Sequence, residues 1–455
     1  MTGEHRDVVV VGAGIGGLAA AHRLREQGRD VLVLEGSPEV GGVLRRRTVA
    51  GVGVDVGAEA MLNRRPEGVA LAAELGLEVC HPAQASSRIW TRGALRPLPR
   101  SLMGVPLDLE DLEASGVLTA DELDRVRAER GHAPTDVGED VTVGALVDDR
   151  LGPAVTDRLV EPLLGGVYAG HARAISARAA VPQLVALAEK GSLLDQASSL
   201  STPATYSAPV FAGLPGGMGG LPLALAERLE VRTQETVRRL TREHARFRLV
   251  VGPTTAERTI TADAVVLAVP PSPAARLLGD LAPVAGELVG GIGTASVAVV
   301  TLAFRLADVG DLGGTDASGF LVPPVEARAI KAATFSFAKW GWVREAGEAE
   351  GLLHLRTSLG RHGEESSLQV PDAALVAASL ADLGEAVGLR AQPVATHVQR
   401  WGGGLPQYAL GHLGRVARIR AELARVPGLA VCGAAYDGVG VPAVIGSAER
   451  AVASV

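Results

Sequence analysis

The stretch DVVVVGAGIGGLAAAHRLREQGRDVLVLE, residues 7–35, decides the fold. Its apolar, β-branched run Val8–Val11 predicts a buried parallel strand, because a strand covered on both faces needs no polar alternation. A helix is expected from about Gly16 to Gln27, and a second strand over Val31–Leu34. Strand, glycine-rich turn, helix and strand in this order predict an α/β protein with a Rossmann-like domain.

The glycines of the turn follow the order G-x-G-x-x-G, and each serves a different purpose. Gly12 permits the tight turn, Gly14 lets a dinucleotide diphosphate approach the backbone, and Gly17 lets the helix pack closely on the sheet. Glu35 follows Gly12 by 23 positions, close to the roughly 20 expected for an acid that binds ribose hydroxyls. A carboxylate there would repel a 2′-phosphate. The cofactor contacts predicted from this unit are Gly12, Ala13, Gly14, Ile15, Gly16, Gly17, Glu35 and Gly36.

Composition limits the other classes of function. The chain has 455 residues, enough for two or three domains, and a formal net charge of −7 without a lysine-rich block, which argues against nucleic acid as a partner. Its two cysteines, Cys80 and Cys432, exclude a disulfide framework and a cysteine-based metal site, so no metal is predicted. No signal peptide or membrane span is predicted, and we expect a cytoplasmic protein with at most peripheral membrane contact.

The residues after Glu35 distinguish FAD from NAD. GSPEVGG ends in Gly41-Gly42, and GVGVDVGAEAM at 51–61 follows. This arrangement resembles the flavoprotein extension of the amine oxidase and protoporphyrinogen oxidase superfamily, and the resemblance implies bound FAD. It adds as expected cofactor contacts Gly41, Gly42, Val43, Gly57, Ala58, Glu59 and Ala60.

The same resemblance implies a three-part architecture. An FAD-binding domain of the amine oxidase/p-hydroxybenzoate hydroxylase-like type is expected from 1–75, 213–270 and 396–455. A mostly helical cap is expected at 76–212, and a mixed α+β substrate domain at 271–395. In the family pattern the backbone near Val237 faces the adenine, although an ordinary strand position is the alternative. The last strand, turn and helix would place Gly433, Val441, Pro442 and Ala443 beside the flavin and the phosphates.

Three further motifs narrow the resemblance to the protoporphyrinogen and coproporphyrinogen oxidase family. RWGGGLPQYALGH at 400–412 resembles R-W-x-x-[AG]-[ML]-P-Q-Y-x-x-G-H, and EPLLGGVYAG at 161–170 and GAAYDGVGVPAVI at 433–445 resemble two others. The first motif departs from the family at Gly402 and Gly404, and the last has Ala434 where asparagine is common. The resemblance places the small residues against the isoalloxazine and Trp401 beside the cofactor. Simple core filling is the alternative for Trp401.

The family dehydrogenates porphyrinogens. For this chain the resemblance implies FAD-dependent oxidation of coproporphyrinogen III to coproporphyrin III in haem biosynthesis, with dioxygen as acceptor and hydrogen peroxide released over six electrons. A ferrochelatase is the expected partner for product handover. Protoporphyrinogen IX oxidation is the first alternative and a flavin amine oxidase the second, for which Lys331 or Lys339 could organise a water near the flavin. No catalytic side chain is predicted, because aromatisation supplies the driving force.

An anionic substrate would need basic partners in this acidic chain. Arginines cluster at 44–48 and 63–66, and guanidinium groups suit carboxylates, although solvation at the surface is the alternative for each of them. The candidate substrate contacts are Arg46, Tyr168 and Gly403, with His171 as a further candidate beside the second motif.

Overall fold

The computed structural model describes residues 4–83, 86–197 and 209–455, and two seven-stranded sheets carry the fold of these residues. The first, here called the nucleotide sheet, has five parallel strands in the order Glu230–Arg232, Val31–Leu34, Glu4–Val11, Arg258–Leu267 and Leu429–Val431. A hairpin of Val237–Glu243 and Arg246–Val251 extends it, because Arg246–Val251 pairs antiparallel with the first half of Arg258–Leu267.

The Rossmann-like prediction is confirmed in the nucleotide sheet. Val8 pairs with Val31 on one side and with Ala264 on the other, and Val8–Val11 are 0–5% exposed. The helix Ile15–Glu26 packs together with the C-terminal helix Val441–Val452 on one face of the sheet. Fully apolar strands are therefore buried on both faces, as the sequence pattern requires.

The second sheet is mixed. Its strand order is Ala395–Pro406, Thr294–Arg305, Leu352–Leu359, Ile330–Thr334, Gly319–Leu321, Arg88–Thr91 and Ala94–Pro97. Only the pair Gly319–Leu321 and Arg88–Thr91 is parallel among the described strands of this sheet. The helix Asp372–Val387 covers one face and buries Leu375 and Leu383 in the core.

The segment around RWGGGLPQY lies in a different part of the fold from the one predicted. The predicted boundary assigned residues from 396 onward to the FAD domain, but Ala395–Pro406 is an edge strand of the second sheet, paired with Thr294–Arg305. The long partner strand supplies backbone hydrogen bonds that three glycines could not organise alone. Likewise, Arg88–Thr91 and Ala94–Pro97 join this sheet although they lie in the segment expected to form the helical cap.

The helical region follows the strand Ala94–Pro97 in the sequence and extends from Leu109 to Gln196. Its helices are Leu109–Ser115, Ala120–Arg127, Val143–Leu151, Pro153–Val155, Glu161–Tyr168, Ala177–Ala180, Pro182–Ala188 and Leu193–Gln196, with a short π-helix at Thr156–Val160. Thr119 and Glu122 form a capping box at the second helix. A buried ion pair of Arg150 with Glu129 ties the region together, and Glu129 also accepts from Ser192 Oγ at 2.8 Å. No helix in the described ranges is long and apolar enough to cross a membrane.

The remaining elements connect the sheets. The helices are Pro66–Glu74, Gly220–Ala226, Pro271–Leu278, Pro283–Gly290, Ser336–Lys339, Gly341–Ala349, His412–Leu423 and Ala434–Asp437. Short antiparallel pairs join Arg46–Val49 to Val52–Asp55, Met61–Leu62 to Phe211–Ala212, and Ser101–Leu102 to Val105–Pro106. Single 3₁₀ turns lie at Leu306–Asp308, Gly310–Gly314, Pro324–Glu326 and Glu365–Leu368.

Candidate functional site

Of the three motif glycines in the turn after the first strand, two have no room for a Cβ atom and one has open space at its Cβ position. Gly12 has φ +105°, and a Cβ built there would lie 2.5 Å from the carbonyl oxygen of Ala268. A Cβ at Gly17 would overlap the carbonyl oxygen of Gly12. At Gly14 the Cβ position has no atom within 4 Å. The open side of this turn therefore presents bare backbone, as a closely bound diphosphate requires.

Two helix N-termini converge on the same turn. The helix Ile15–Glu26 begins after Gly14 and the helix Val441–Val452 after Gly440, and neither has a side-chain cap. A Cβ on Gly16 would lie 3.0 Å from Val444 Cγ1 and 3.8 Å from Gly433 Cα, so the two helix starts are neighbours. Uncapped N–H groups and two helix dipoles make this position favourable for a dinucleotide's phosphates.

Glu35 lies where the ribose acid is expected. Its Oε2 accepts from Ala13 N at 2.7 Å and its Oε1 accepts from Ser37 N at 2.8 Å, so the carboxylate is oriented by the turn. Each oxygen still has a lone pair for a hydroxyl donor. A Cβ on Gly36 would lie 3.1 Å from Thr236 Oγ1, which places the start of the strand that holds Val237 beside this loop, and Val237 is buried.

The Gly41-Gly42 segment folds back on the turn. Gly41 N donates to Ala13 O at 2.7 Å, both glycines have positive φ, and the Cβ position of Gly42 is 3.4 Å from Gly14 Cα. Further along, Ala58 N donates to Val43 O at 3.0 Å, and a Cβ on Gly57 would overlap that carbonyl oxygen. The two predicted flavin segments, 41–43 and 57–60, are thus one packed unit.

A buried carboxylate anchors this unit to the second sheet. Glu59 is 7% exposed, Lys339 Nζ donates to its Oε1 at 2.7 Å, and Arg356 Nη2 lies 3.2 Å from its Oε2. Burial acts to raise the pKa of Glu59, but the charges of Arg356 and Lys339 outweigh it and hold the pKa below its usual value. Arg356 Nη1 also donates to Gly57 O at 2.6 Å. Glu59 is therefore an ionised structural anchor.

Asp55 holds the second glycine-rich segment against the same unit. Its carboxylate accepts from Met218 N at 2.9 Å and from Gly219 N at 3.3 Å. Burial raises the pKa of Asp55 to about 6, although the Met218 N–H and the charge of Arg356 act in the opposite direction. The segment entering the helix Gly220–Ala226 is thereby fixed by a carboxyl group that is costly to ionise.

Trp401 and Gly403 lie on the edge strand next to this unit. Trp401 Nε1 donates to Val56 O at 3.1 Å, and Arg45 lies 5.3 Å above the indole ring. Gly403 has φ +60° and its N–H donates to Ser296 Oγ at 3.1 Å. The contacts of Trp401 with residues 56–57 place it directly behind the predicted flavin segment, and Gly402 has open space at its Cβ position.

The three motifs that are far apart in the sequence meet here. Gln407 Nε2 donates to Tyr168 O at 2.6 Å, and a Cβ on Gly170 would overlap the Gln407 side chain. Tyr408 Oη donates to Ala434 O at 2.6 Å and accepts from Gly438 N at 2.7 Å. The motif at 400–412 thus binds the cap motif with one side chain and the C-terminal turn with the next.

The candidate substrate residues lie in different surroundings. Arg46 lines an open cavity of about 430 Å³ with Arg47, Thr48 and Gly53. Tyr168 is 5% exposed and packs against Tyr408, with ring centroids 5.4 Å apart. Tyr168 therefore belongs to the hydrophobic core of the cap, and burial raises its pKa to about 12.

Sequence reasoning missed Arg356 and the pairing of Lys339 with Glu59. The sequence offers one signal for Arg356. It is a charged residue at an inward-facing position of LLHLRTSL, a strand in which apolar residues alternate with polar ones. Lys331 lies elsewhere: it is buried on the strand Ile330–Thr334 and donates to Gly360 O. The two lysines considered for an amine oxidase therefore do not share one site.

The fold and the site define a class, the FAD-dependent oxidoreductases. A bare backbone cradle at Gly14, two uncapped helix starts and the oriented Glu35 fit an unphosphorylated dinucleotide, and the extension at 41–60 fits a flavin. The chain belongs to the family of flavin-containing amine oxidoreductases, whose family model matches residues 15–455.

Several known proteins are similar over the full length. The chain is 39% identical to the coproporphyrinogen III oxidase of Mycobacterium tuberculosis over 462 aligned residues, covering 99% of this chain and 97% of that protein. It is 27% identical to the Bacillus subtilis coproporphyrinogen III oxidase, covering 99% and 98%. A crystal structure of an Exiguobacterium sp. 255-15 protein with a provisional protoporphyrinogen oxidase name superposes with TM-score 0.86 at 30% identity, covering 100% and 99%.

Proposed function

We propose that this protein oxidises coproporphyrinogen III to coproporphyrin III, with FAD as the hydride acceptor and dioxygen as the final oxidant. The reaction removes six hydrogens from the macrocycle, and three molecules of dioxygen take them up as hydrogen peroxide. The observation that carries the proposal is the 39% identity to the Mycobacterium tuberculosis coproporphyrinogen III oxidase along almost the whole of both chains.

The residues of this chain have positioning roles in the proposed reaction. Gly14 and the two helix starts would hold the diphosphate of FAD, and Glu35 would hold the ribose. When bound, FAD supplies a two-electron acceptor for hydride from a bridge carbon, while a pyrrole N–H gives up its proton. Trp401 and the segment 57–60 would support the ring, since Trp401 donates to the Val56 carbonyl and Arg356 to the Gly57 carbonyl.

Catalysis in this proposal needs positioning more than acid–base chemistry. Glu59 is enclosed by Lys339 and Arg356, so it is not free to exchange a proton with a substrate. The driving force comes from aromatisation of the macrocycle. In this proposal the protein contributes mainly by orienting the bridge carbon against the acceptor, because holding two reactants in a reactive geometry lowers the entropic part of the barrier.

A second candidate is the oxidation of protoporphyrinogen IX. It is favoured by the Exiguobacterium structure and by 29% identity to the protoporphyrinogen oxidase of Macaca fascicularis, covering 99% of this chain and 98% of that protein. The putrescine oxidase structures are 18–19% identical, and this similarity concerns the fold alone. Handover to a ferrochelatase and a cytoplasmic location stay predictions.

The deciding experiment compares the two porphyrinogens under air. The purified protein should be yellow, release FAD on denaturation and form porphyrin fluorescence faster from coproporphyrinogen III than from protoporphyrinogen IX, with three hydrogen peroxide molecules per porphyrin. Porphyrin formation no faster than autoxidation without protein would overturn the proposal. A faster rate with protoporphyrinogen IX would favour the second candidate, and turnover of benzylamine an amine oxidase.

A further inference from the structure

Two buried cations, Lys331 on the strand Ile330–Thr334 and Arg361 just after the strand Leu352–Leu359, have no carboxylate partner in the part of the chain that the structure describes. Lys331 is 6% exposed and Arg361 is 7% exposed. Lys331 Nζ donates to Gly360 O at 2.9 Å, and Arg361 Nη2 donates to Val322 O at 3.2 Å. Among the described residues no carboxylate oxygen lies within 4.0 Å of either cation. Buried cations are ordinarily paired, so this arrangement requires an explanation.

The arrangement is unfavourable for the folded protein alone. Burial, and then the neighbouring charge of Arg361, lowers the pKa of Lys331 to about 7. Burial also lowers the pKa of Arg361. Arg361 Nε and Nη1 donate to no described residue, yet neither is among the buried polar atoms without a partner, so both still reach accessible space. Polar groups that cost stability in this way are typical of binding sites.

The two cations lie in a row that begins at Gly403, one of the candidate substrate contacts. Gly403 N donates to Ser296 Oγ, and the Cβ position of Gly360 is 2.9 Å from Ser296 O. Gly360 O in turn accepts from Lys331. The row crosses the strands in sheet order, so Lys331 is three strand spacings, about 14 Å, from Gly403.

The helical cap contacts this row next to Arg361. His362 N donates to Ala169 O at 2.6 Å, next to the motif that Gln407 binds. The acids near Arg361 are Glu161 and Glu364, and neither is at ion-pair distance. Burial raises the pKa of Glu161, and its Oε2 has no hydrogen-bond partner. The row therefore contains two neighbouring cationic groups that interact electrostatically, and the acids near them form no ion pair with either one.

We propose that Lys331 and Arg361 together bind one carboxylate of the substrate, at the end of its binding site that is remote from Gly403. This assignment rests on the proposed function, in which that carboxylate is a propionate of coproporphyrinogen. An ammonium and a guanidinium side by side suit a carboxylate, which gains charge-assisted hydrogen bonds from both. The substrate would thereby be held by its rim while a bridge carbon faces the flavin.

The test uses the FAD-loaded protein and the variants Lys331→Met and Arg361→Met. Arg328→Met is the matched control, because Arg328 precedes the same strand but pairs with Glu385 and lies over Trp90. The measurements are KM and kcat for coproporphyrinogen III, binding of coproporphyrin III and of its tetramethyl ester by fluorescence, flavin content, and Tm.

We expect either methionine variant to raise KM and to weaken coproporphyrin binding roughly 10- to 100-fold, the value of one lost hydrogen bond between charged groups. Binding of the ester should change little. Flavin content and Tm should be retained, because methionine replaces a cation that has no ionic partner. The control should behave as the parent, and Arg361→Lys and Lys331→Arg should recover part of the loss.

Other outcomes separate the two proposals. Unchanged KM and binding in both methionine variants would refute the carboxylate site while the parent's activity upheld the proposed function. A lowered Tm with unchanged binding would show a structural role for the pair and refute the site as well. A parent protein that neither binds coproporphyrin nor oxidises coproporphyrinogen would overturn both.

Discussion

Gly14 and Gly17 show how two residues of one turn can be required for different reasons. Gly17 has no room for a side chain, because its Cβ position overlaps the carbonyl oxygen of Gly12. Gly14 has room in the protein and an extended backbone with φ −71°. Its lack of a side chain therefore concerns what approaches from outside the chain.

We expect Gly14→Ala to fold but to lose flavin, and Gly17→Ala to destabilise the folded protein. The first variant should keep the Tm of the apoprotein but bind FAD at least tenfold more weakly, because a methyl group would stand between backbone and diphosphate. For the second variant the free energy of unfolding should fall by roughly 1–3 kcal/mol or more, because the added methyl group overpacks the turn. Thermal unfolding and flavin absorbance measure both, and equal flavin retention in Gly14→Ala would contradict the assignment of the cradle.

Asp55 predicts a pH dependence of stability. Its folded pKa of about 6 is above its unfolded value of 3.8, so the folded state holds the proton longer. The free energy of unfolding should therefore fall as pH rises from about 4 to 6, by up to about 3 kcal/mol from this group. The check is the difference between parent and Asp55→Asn in denaturant unfolding of the apoprotein, which should vary with pH in this window and be constant above it.

At the scale of elements, the turn between the last strand and the last helix depends on a distant side chain. Residues 433–440 include Gly433 and Gly438, both with positive φ, and supply the start of the helix Val441–Val452. Tyr408 bridges this turn by donating to one backbone group and accepting from another. The tyrosine of the motif at 400–412 thus fixes the turn before the helix Val441–Val452, where the phosphate end of the cofactor site is predicted.

Tyr408→Phe should loosen this turn. The variant leaves the Ala434 carbonyl and the Gly438 N–H without their partner, at a cost of roughly 1–3 kcal/mol. FAD should dissociate faster, whereas secondary structure should be unchanged. Flavin release after dilution, followed by fluorescence, measures the effect. Tyr168→Phe is a suitable control, since Tyr168 packs on Tyr408 with ring centroids 5.4 Å apart, but its hydroxyl forms no hydrogen bond to the described residues of the turn.

The elements of the Rossmann-like unit could be predicted from sequence because their patterns are local. The strand Val31–Leu34 has the predicted bounds. The helix Ile15–Glu26 begins and ends one residue before its predicted bounds, Gly16 and Gln27. The edge strand Ala395–Pro406 could not be predicted, since its glycines and proline argue against regular structure. Its strand conformation comes from a partner, Thr294–Arg305, that is nearly a hundred residues away.

At the scale of the whole molecule, the buried group of Glu59, Lys339 and Arg356 joins the flavin segment to the second sheet. Glu59 precedes the short strand Met61–Leu62, whereas Arg356 belongs to the second sheet and Lys339 to the short helix Ser336–Lys339. The orientation of the predicted flavin segment relative to the second sheet is therefore held by ionic contacts.

A double-mutant cycle on Glu59 and Lys339 should reveal this coupling. Lys339→Met alone should cost roughly 3 kcal/mol, because it removes one partner of a buried carboxylate. Glu59→Gln with Lys339→Met should cost less than the sum of the single variants, since the unpaired charge is gone. Chemical unfolding and flavin content give the energies. Additive effects would mean that the pair contributes no coupling between the two parts.

The amino-acid sequence by itself determined the first strand–turn–helix unit, the class of cofactor through Glu35 and the following glycines, and the family through three spaced motifs. Only the tertiary structure decided that Gln407 and Tyr408 join those motifs, that Glu59 is an anchor, and that Lys331 and Arg361 lie together. The reason is physical. Local patterns report the periodicity of one element, whereas contacts between distant residues depend on strand order and register, which no single stretch contains.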